Sequence, residues 1–177
     1  AWRTITIPAM RPLDPAIYEL PAPMAAPALI GKLLRVGDIT LRITETEAYF
    51  GEEDTACHAH KGKTPRTQML YRRGGYVYVY LCYGIHCLLN IITGPEEHPE
   101  GVLIRCCQGA EGPGRLTKAL GIDRSFNGED LLTFSRLSLW DDGKNFSITT
   151  APRVGIGYAS AEDQVRPWRF ILESPKC

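Results

Sequence analysis

The sequence predicts a single α+β domain, with a curved, mainly antiparallel β-sheet, flanking helices and a protruding β-hairpin. The 177 residues suffice for one sizeable core and contain no internal repeat, linker or low-complexity segment. Strand-like runs are short, alternate in polarity and are separated by turn residues. Two segments carry helix signals, and several strands lie between them. Together these features favour one domain over residues 1–177 in which helices pack beside an antiparallel sheet.

The first 36 residues are predicted to form an arm, a short helix and the approach to a strand. Residues 1–12 show no regular pattern and are expected to be a loose N-terminal arm. Asp14 and Pro15 are typical of a helix start, with Asp as the N-cap and Pro at the first helical position. Residues 28–36 lead into the first strand. Three prolines are expected to interrupt the chain after the short helix: Pro21, Pro23 and Pro27.

Residues 39–50 alternate clearly enough to predict a strand. Period-two alternation assigns one set of side chains to a shared face: Leu41, Ile43, Glu45, Glu47 and Tyr49. A face that starts apolar and ends with two carboxylates is unusual in a structural strand, because a buried carboxylate is costly unless it has a partner.

The chain after residue 50 is predicted to continue the antiparallel sheet. Tyr83 and Gly84 mark the turn of a hairpin, and Gly121 is expected to end a helix. The predicted segments are, in order, a loop over 51–75, the hairpin over 76–93, a strand over 101–107, an amphipathic helix over 112–121, weak strand signals over 125–150, and closing strands within 151–159 and 167–172.

Composition excludes some classes of protein. The hydrophobic fraction of 44% and the charged fraction of 23% are ordinary for a globular protein, and no apolar run is long enough to span a bilayer. No signal peptide is evident, so a cytoplasmic protein with reduced thiols is expected. The formal net charge is zero, but residues 61–73 carry five basic side chains and no acid. This segment either contacts phosphates or is a solvated loop.

Glu47 is the leading candidate for chemistry. A carboxylate at the end of an inward strand face, beside Tyr49, can be held in a partly apolar pocket and take a proton from water. The alternative is a structural ion pair at the strand end, with Arg42 or Arg105 as the partner. The residues alone leave both possibilities open.

Alternating tyrosines precede the hairpin turn, at Tyr76, Tyr78 and Tyr80, and Tyr83 follows at the turn. Such a row is most often sheet-face packing. Tyrosines also grip a base that has been extruded from a duplex, and an aromatic side chain at a hairpin tip can enter the minor groove.

Metal binding is not predicted. Cys57, His58 and His60 lie close in sequence, but a closed tetrahedral site needs a fourth ligand, and no paired-cysteine element is present. Gly112-Pro113-Gly114 before a helix could seat a phosphate, although an ordinary helix entry explains it equally well.

Seven blocks then occur in an order that closely resembles the alkyladenine (3-methyladenine, methylpurine) DNA glycosylase family, in a bacterial-type form. The resemblance covers roughly residues 28–172 and implies a compact α+β domain that excises alkylated and deaminated purines, such as 3-methyladenine, 7-methylguanine, hypoxanthine and ethenoadenine. It implies no metal, no organic cofactor and no lyase step. The blocks are ITETEAYFGEEDTACH (43–58), TPRTQMLYRRGGYVYVY (64–80), LLNIITG (88–94), VLIRC (102–106), GPGRLTKALGID (112–123), PRVGIGYA (152–159) and PWRF (167–170).

The resemblance also implies roles for individual residues. Glu47 matches the base that activates the attacking water. Arg105 matches the residue that helps to hold this water and the flipped nucleotide's phosphate, and the carbonyl of Val154 matches a third contact to the water. The expected contacts to the extruded base are Tyr49 on one face, His58 and Tyr80 on the other, the His58 N–H at the 6-position, and Asn90 against the 2-amino group of guanine.

Contacts to DNA follow in the same way. Tyr83 matches the intercalating aromatic, with Met69 or Leu70 as its helper. Phosphate contacts are expected from the basic segment, at Lys63, Arg66 and Arg72. The implied partner is double-stranded DNA containing damaged purines, bound by a monomer in the bacterial cytosol. One departure is that only six residues separate Arg105 from Gly112, which indicates a deletion or an omitted mobile loop.

Two other functions remain possible at this point. A non-catalytic nucleic-acid-binding module on the same scaffold needs no carboxylate facing DNA, so Glu47 together with Arg105 favours the enzyme. A hydrolase of free nucleosides needs no intercalating side chain, so Tyr83 and the basic segment 61–73 speak against it.

Overall fold

An antiparallel sheet of ten strands forms the framework of the protein, seen in a computed structural model that describes residues 9–173. Its main path runs β1-β8-β2-β3-β6-β5-β4, with β10 pairing with β3 and β9, and β7 pairing with β6. The sheet does not close on itself, and the predicted single α+β domain is confirmed. The strands are β1 (Arg11–Pro12), β2 (Leu33–Val36), β3 (Ile39–Phe50), β4 (Val77–Cys82), β5 (His86–Ile92), β6 (Glu100–Cys107), β7 (Ala110–Glu111), β8 (Leu137–Asp141), β9 (Ile148–Ala151) and β10 (Arg169–Leu172).

Helices are few and short. The α-helices are α1 (Ala22–Leu29), α2 (Pro113–Leu120) and α3 (Ala161–Val165), and the 3-10 helices are Pro15–Glu19, His58–Lys61, Gln68–Tyr71 and Arg124–Phe126. Within residues 9–173, no helix has the length and apolar character needed to cross a bilayer.

The two longer helices pack on the sheet and build the main core. Helix α1 contacts β3 and β6, while α2 contacts β5 and β6. Leu116 and Leu120 lie one turn apart on α2 and are buried, and burial of each contributes about 1.5–3 kcal/mol. Gly121 ends α2 in the left-handed conformation with φ 68°, as the sequence predicts.

The prediction that prolines break the chain after residue 20 is wrong for α1. Pro23 lies in the first turn, where a missing N–H costs little, but Pro27 lies inside the helix. Burial of the small side chains of α1 against the sheet outweighs this cost. The helix is also capped from the sheet, because the Ala22 N–H donates to Glu100 Oε1 over 2.5 Å.

Three further segments bear on the sequence predictions. Asp14 caps the predicted short helix by accepting the Ala16 N–H, but this is a 3-10 helix. Residues 1–8 of the predicted loose arm lie outside the described residues, whereas Arg11 and Pro12 pair with β8. Residues 152–159 form a loop instead of the predicted closing strand, and α3 was not predicted.

The short segment after Arg105 closes as a tight hairpin. Cys107 pairs with Ala110, and Gly109 takes a φ of 83° in the turn between β6 and β7. A positive φ suits glycine, because no Cβ clashes with the backbone. The six residues between Arg105 and Gly112 therefore complete a connection without a long loop.

Candidate active site

The largest concentration of predicted site residues surrounds one cleft of about 690 Å³. Its walls come from the second half of β3, the β4–β5 hairpin, the end of β6, the start of α2 and the 152–158 loop. The predicted residues that line it are Glu47, Tyr49, His58, Arg66, Tyr80, Tyr83, Arg105 and Val154. Side chains that are far apart in sequence thus share one cavity.

Glu47 lies fully buried at the inner end of the cleft. The Tyr49 hydroxyl donates to its Oε1 over 2.9 Å, and the Val154 N–H donates to its Oε2 over 2.7 Å. Burial raises the pKa of the carboxyl group, while these two hydrogen bonds and the charges of Arg105 and Arg153 oppose the shift. Each oxygen accepts one of these hydrogen bonds and keeps a second lone pair, which a general base needs for the proton of a water.

Irregular pairing between β3 and β6 sets which side chains of β3 face the cleft. The register shifts on both sides of Glu45, between Ile43 and Glu45 and between Glu45 and Thr46. Ile43 and Ala48 pack in the helix-covered core, whereas Glu47 lines the cleft. The prediction that Ile43 and Glu47 share a face is wrong, because a bulge changes the alternation between them.

Arg105 approaches the cleft but does not form an ion pair with Glu47. Its Nε lies 2.9 Å from Glu45 Oε2, and Arg42, the other arginine considered for Glu47, pairs with Asp142. Among residues 9–173, Glu47 forms no salt bridge within 4 Å. This leaves the structural ion-pair interpretation without a partner.

Val154 is held in place by a buried ion pair at the preceding residue. Arg153 binds Asp54 through two hydrogen bonds of 2.6 and 2.9 Å, and both side chains are essentially inaccessible. Arg153 also donates to the Ala48 carbonyl, and its guanidinium lies 5.0 Å from the centre of the Tyr49 ring. These contacts fix the chain from which the Val154 N–H reaches Glu47.

A small aromatic pocket opens beside the cleft and holds the predicted base-binding residues. It shares four side chains with the cleft, namely Tyr49, His58, Tyr80 and Tyr158, and it extends to Asn90. The His58 ring lies edge-on to Tyr80 with 4.6 Å between centroids, and its Nδ1 is 3.3 Å from the Tyr78 hydroxyl. The pocket therefore brings together all four residues predicted to bind the base.

The surroundings of the polar groups in this pocket set the protonation state of His58 and the hydrogen bonds of Asn90. Burial, aided by the charge of Arg66, lowers the pKa of His58, which favours the neutral imidazole. Asn90 is buried, and its Nδ2 donates to the carbonyls of Tyr78 and Leu88 over 3.3 and 3.5 Å. The His58 N–H stands at the first position of a 3-10 helix, where no intrahelical acceptor is available.

The hairpin tip carries the predicted intercalating residue. Tyr83 is 91% exposed, and both it and Gly84 have positive φ angles, of 51° and 67°, as in a type I′ turn. Ile85 beside it is 75% exposed and was not predicted as a site residue. The tip thus presents two large apolar side chains to solvent.

Neither residue predicted to assist Tyr83 lies at the tip. Leu70 is 4% exposed and belongs to the apolar cluster under the aromatic pocket, which is inconsistent with intercalation. Met69 lies against Gly128, whose N–H binds the Val77 carbonyl at the start of β4, whereas Tyr83 follows the end of β4. The exposed apolar side chain beside Tyr83 at the tip is Ile85.

The three predicted phosphate-binding residues differ in their surroundings. Arg66 lines the cleft, with its guanidinium 5.8 Å from the centre of the Tyr80 ring. Lys63 pairs with Glu97 at 3.2 Å, and Arg72 lies over the Tyr76 ring; neither residue lines the cleft. Of the three, Arg66 is brought to the cleft.

Candidate metal ligands are not assembled. His58 contacts Tyr78, and His60 Nδ1 lies 2.7 Å from the Glu52 carbonyl. In the part of the chain that the structure describes, no three ligand-type side chains form a metal-binding group. The five cysteines in that part are free thiols: Cys57, Cys82, Cys87, Cys106 and Cys107.

Sequence reasoning missed several residues of the site. Tyr158 lines both cavities, and its hydroxyl donates to the Ala56 carbonyl over 2.8 Å. The Arg153–Asp54 pair spans nearly a hundred residues of sequence, so no local pattern marks it. Ile85, in contrast, had a signal: an apolar residue in a hairpin turn, where the side chain cannot be buried.

Comparisons with known proteins agree on one family. The model described as methylpurine-DNA glycosylase (MPG) matches residues 16–111 and 108–176. A provisionally named 3-methyladenine DNA glycosylase of Psychrobacter cryohalolentis is 41% identical, over 83% of this chain and 85% of its own. A provisionally named one of Borreliella afzelii is 40% identical over 93% and 97%, respectively. The DNA-3-methyladenine glycosylase of Arabidopsis thaliana is 38% identical, over 96% of this chain and 75% of its own.

Proposed function

This chain belongs to the methylpurine-DNA glycosylase family, and we propose that it excises damaged purines from duplex DNA by hydrolysing the N-glycosidic bond, with Glu47 as the general base. The substrates we propose are alkylated and deaminated purines: 3-methyladenine, 7-methylguanine, hypoxanthine and ethenoadenine. The enzyme is monofunctional, acts as a monomer in the cytoplasm, and uses no metal or organic cofactor.

The observation that carries the proposal is the environment of Glu47. Its carboxylate is fully buried, yet it lies on the wall of an open cleft and accepts hydrogen bonds from Tyr49 and Val154. Cleavage of a glycosidic bond passes through a sugar with oxocarbenium character. An ionised carboxylate beside C1′ stabilises that positive charge and takes the proton of the attacking water. A binding module without catalysis has no use for such a group.

Recognition of the base is assigned to the aromatic pocket. The extruded purine enters from the cleft and stacks on Tyr49, with His58 and Tyr80 against its other face. A purine nucleotide methylated at N3 or N7 is cationic, and the face of each aromatic ring attracts a cation by about 0.5–2 kcal/mol. Hypoxanthine and ethenoadenine are neutral and take up a proton as they leave. The neutral state favoured at His58 avoids a repulsive charge next to a cationic base. The Asn90 amide, which donates to two backbone carbonyls, would disfavour the 2-amino group of guanine, and 7-methylguanine is excised despite this contact because its positive charge makes the base a good leaving group.

Extrusion of the base leaves a gap in the duplex that the hairpin tip can fill. Tyr83 and Ile85 are exposed and adjacent to the cleft, which suits insertion into the minor groove. Arg66 and Arg105 supply positive charge along the cleft wall, where the phosphate of the flipped nucleotide lies in this proposal. Damaged pairs cost less to unstack than intact pairs, which adds selectivity before the chemical step.

The test compares Glu47→Gln with the wild-type protein on duplexes that carry hypoxanthine, ethenoadenine or 7-methylguanine. We expect single-turnover formation of alkali-sensitive abasic sites to fall by about 10²–10⁴-fold, the usual contribution of a general base, while affinity for the damaged duplex persists. The matched control is Glu111→Gln, which alters an exposed carboxylate of the same cleft and should leave the rate within about twofold. Near-normal excision by Glu47→Gln would reject the mechanism.

A further inference from the structure

Three charged side chains from three adjacent strands form a cluster beside Glu47. Glu45 lies between Arg105 of β6 and Arg169 of β10, at 2.9 Å from Arg105 Nε and 3.4 Å from Arg169 Nη1. The three side chains are between 14 and 24% exposed. Partly buried pairs of this kind are screened less by salt than pairs on the surface.

The geometry of the ion pair shows how Glu45 holds Arg105. Glu45 engages Nε, the nitrogen nearest the side-chain stem, and Arg105 has no other acidic partner within 4 Å among residues 9–173. Arg105 meanwhile lines the cleft, so the remaining N–H groups of its planar guanidinium are available there. An arginine anchored in this way loses less rotamer freedom when it binds an anion.

The same contact keeps Arg105 from pairing with Glu47. Arg105 is close enough to lower the pKa of Glu47 through its charge, yet its guanidinium binds Glu45. Without Glu45, the free guanidinium could swing to the neighbouring buried carboxylate. The guanidinium would then occupy the lone pairs of Glu47 that otherwise receive the proton of the water.

We infer that Glu45 is a positioning residue for Arg105, in an inference that rests on the proposed glycosylase function. Glu45 directs the guanidinium toward the nucleotide phosphate and water, and it prevents a direct ion pair between Arg105 and Glu47. Arg169 steadies Glu45 from the opposite side. Because Arg169 Nε also binds the Pro152 carbonyl over 2.8 Å, the cluster is linked to the loop that bears Val154.

The test is a double-mutant cycle of Glu45→Ala and Arg105→Ala, with the single-turnover excision rate and the affinity for damaged DNA measured separately. Glu45→Ala is expected to lower the rate by about 10–100-fold, because small misplacements of a catalytic group have effects of this size. Glu45→Gln should recover part of that loss, since its amide oxygen can lie beside Nε where the carboxylate oxygen lies in the wild-type protein. In the Arg105→Ala background, adding Glu45→Ala should change the rate by less than about twofold.

Asp142→Ala is the matched control, because Asp142 binds Arg42 at 2.6 Å in a similarly shielded pair three residues earlier on β3, and neither residue lines the cleft. Its excision rate should stay within about twofold of the wild-type rate. Urea unfolding identifies any variant that fails to fold, and the cycle with Glu45→Gln then carries the test. The inference would be overturned if the rate losses of Glu45→Ala and Arg105→Ala multiplied in the double variant. A wild-type rate in Glu45→Ala would overturn it as well. Loss of the glycosylase assignment instead shows as an inactive wild-type protein, or as full activity in Glu47→Gln.

Discussion

Replacement of Tyr83 by asparagine should make the protein more stable and a poorer binder of damaged DNA. Tyr83 stands in the left-handed region with φ 51°, and the side chain is 91% exposed, so few contacts compensate its strain. This conformation costs an L-residue about 1–2 kcal/mol, whereas asparagine before glycine is favoured in a type I′ turn. Tyr83→Asn should therefore raise the free energy of unfolding by about 1 kcal/mol, or the melting temperature by about 2–4 °C.

DNA binding should change in the opposite direction. Stacking of a base on an aromatic side chain contributes about 1–3 kcal/mol, so loss of the Tyr83 ring should weaken lesion-duplex binding by about 5–150-fold. Urea unfolding and fluorescence anisotropy with a duplex containing ethenoadenine measure the two effects. Tyr83→Phe is the control, because it retains both the strain and the ring and should leave both quantities nearly unchanged.

Either of two results would refute this reasoning. Unchanged affinity in Tyr83→Asn would show that the hairpin tip does not stack in the duplex. A fall in stability would show that Tyr83 makes folded-state contacts that its exposure does not reveal.

Further predictions concern buried charge. Burial raises the pKa of Glu47, so the excision rate should decline with falling pH from a midpoint above the value of about 4.3 for an exposed glutamate; a midpoint at or below that value in single-turnover pH profiles would contradict the assignment. Ionisation of Glu47 in the folded protein costs stability above its raised pKa, and this cost is absent below the pKa of the unfolded chain. Glu47→Gln should accordingly gain stability relative to wild type from pH 4 to pH 7 in urea unfolding, and a constant difference would argue against the raised pKa. Arg153→Met leaves Asp54 buried without its partner and should lower the free energy of unfolding by about 3–5 kcal/mol, whereas Arg136→Met, at a more exposed pair with Glu129, should cost under about 1 kcal/mol.

Much of the sheet could be predicted because its strands carry local signals. Residues 39–50 alternate and form β3 over that same range, and the turn at Tyr83 and Gly84 joins β4 to β5. Helix α2 ends at Gly121, since a left-handed C-cap is encoded by a single residue. Helix α1 escaped prediction because its stability comes from packing and from the distant carboxylate of Glu100, which outweigh Pro27.

The site could be predicted only in part. Most of the residues assigned by resemblance line the cleft and its pocket, but Lys63, Met69 and Arg72 do not, and alternation alone misassigned the faces of β3. A bulge depends on the pairing partner, and β6 lies more than fifty residues away in sequence. For the same reason, the partners of Arg105 and Arg153 could not be read from their neighbours along the chain. Burial of Leu70 depends on the cluster under the pocket, which residues 57–92 assemble only after folding.

The tight turn between β6 and β7 is a position where the fold can accept inserted residues. A side chain added at Gly109 would meet nothing within 4 Å, and the two family-model matches overlap at residues 108–111. Each doubling of the length of a flexible loop costs only about 0.6 kcal/mol, so a longer loop here would destabilise the fold little. Because β7 ends at Glu111, which lines the cleft together with Gly112, an insertion in this turn would lie beside the cleft and leave Glu47 and its partners unchanged.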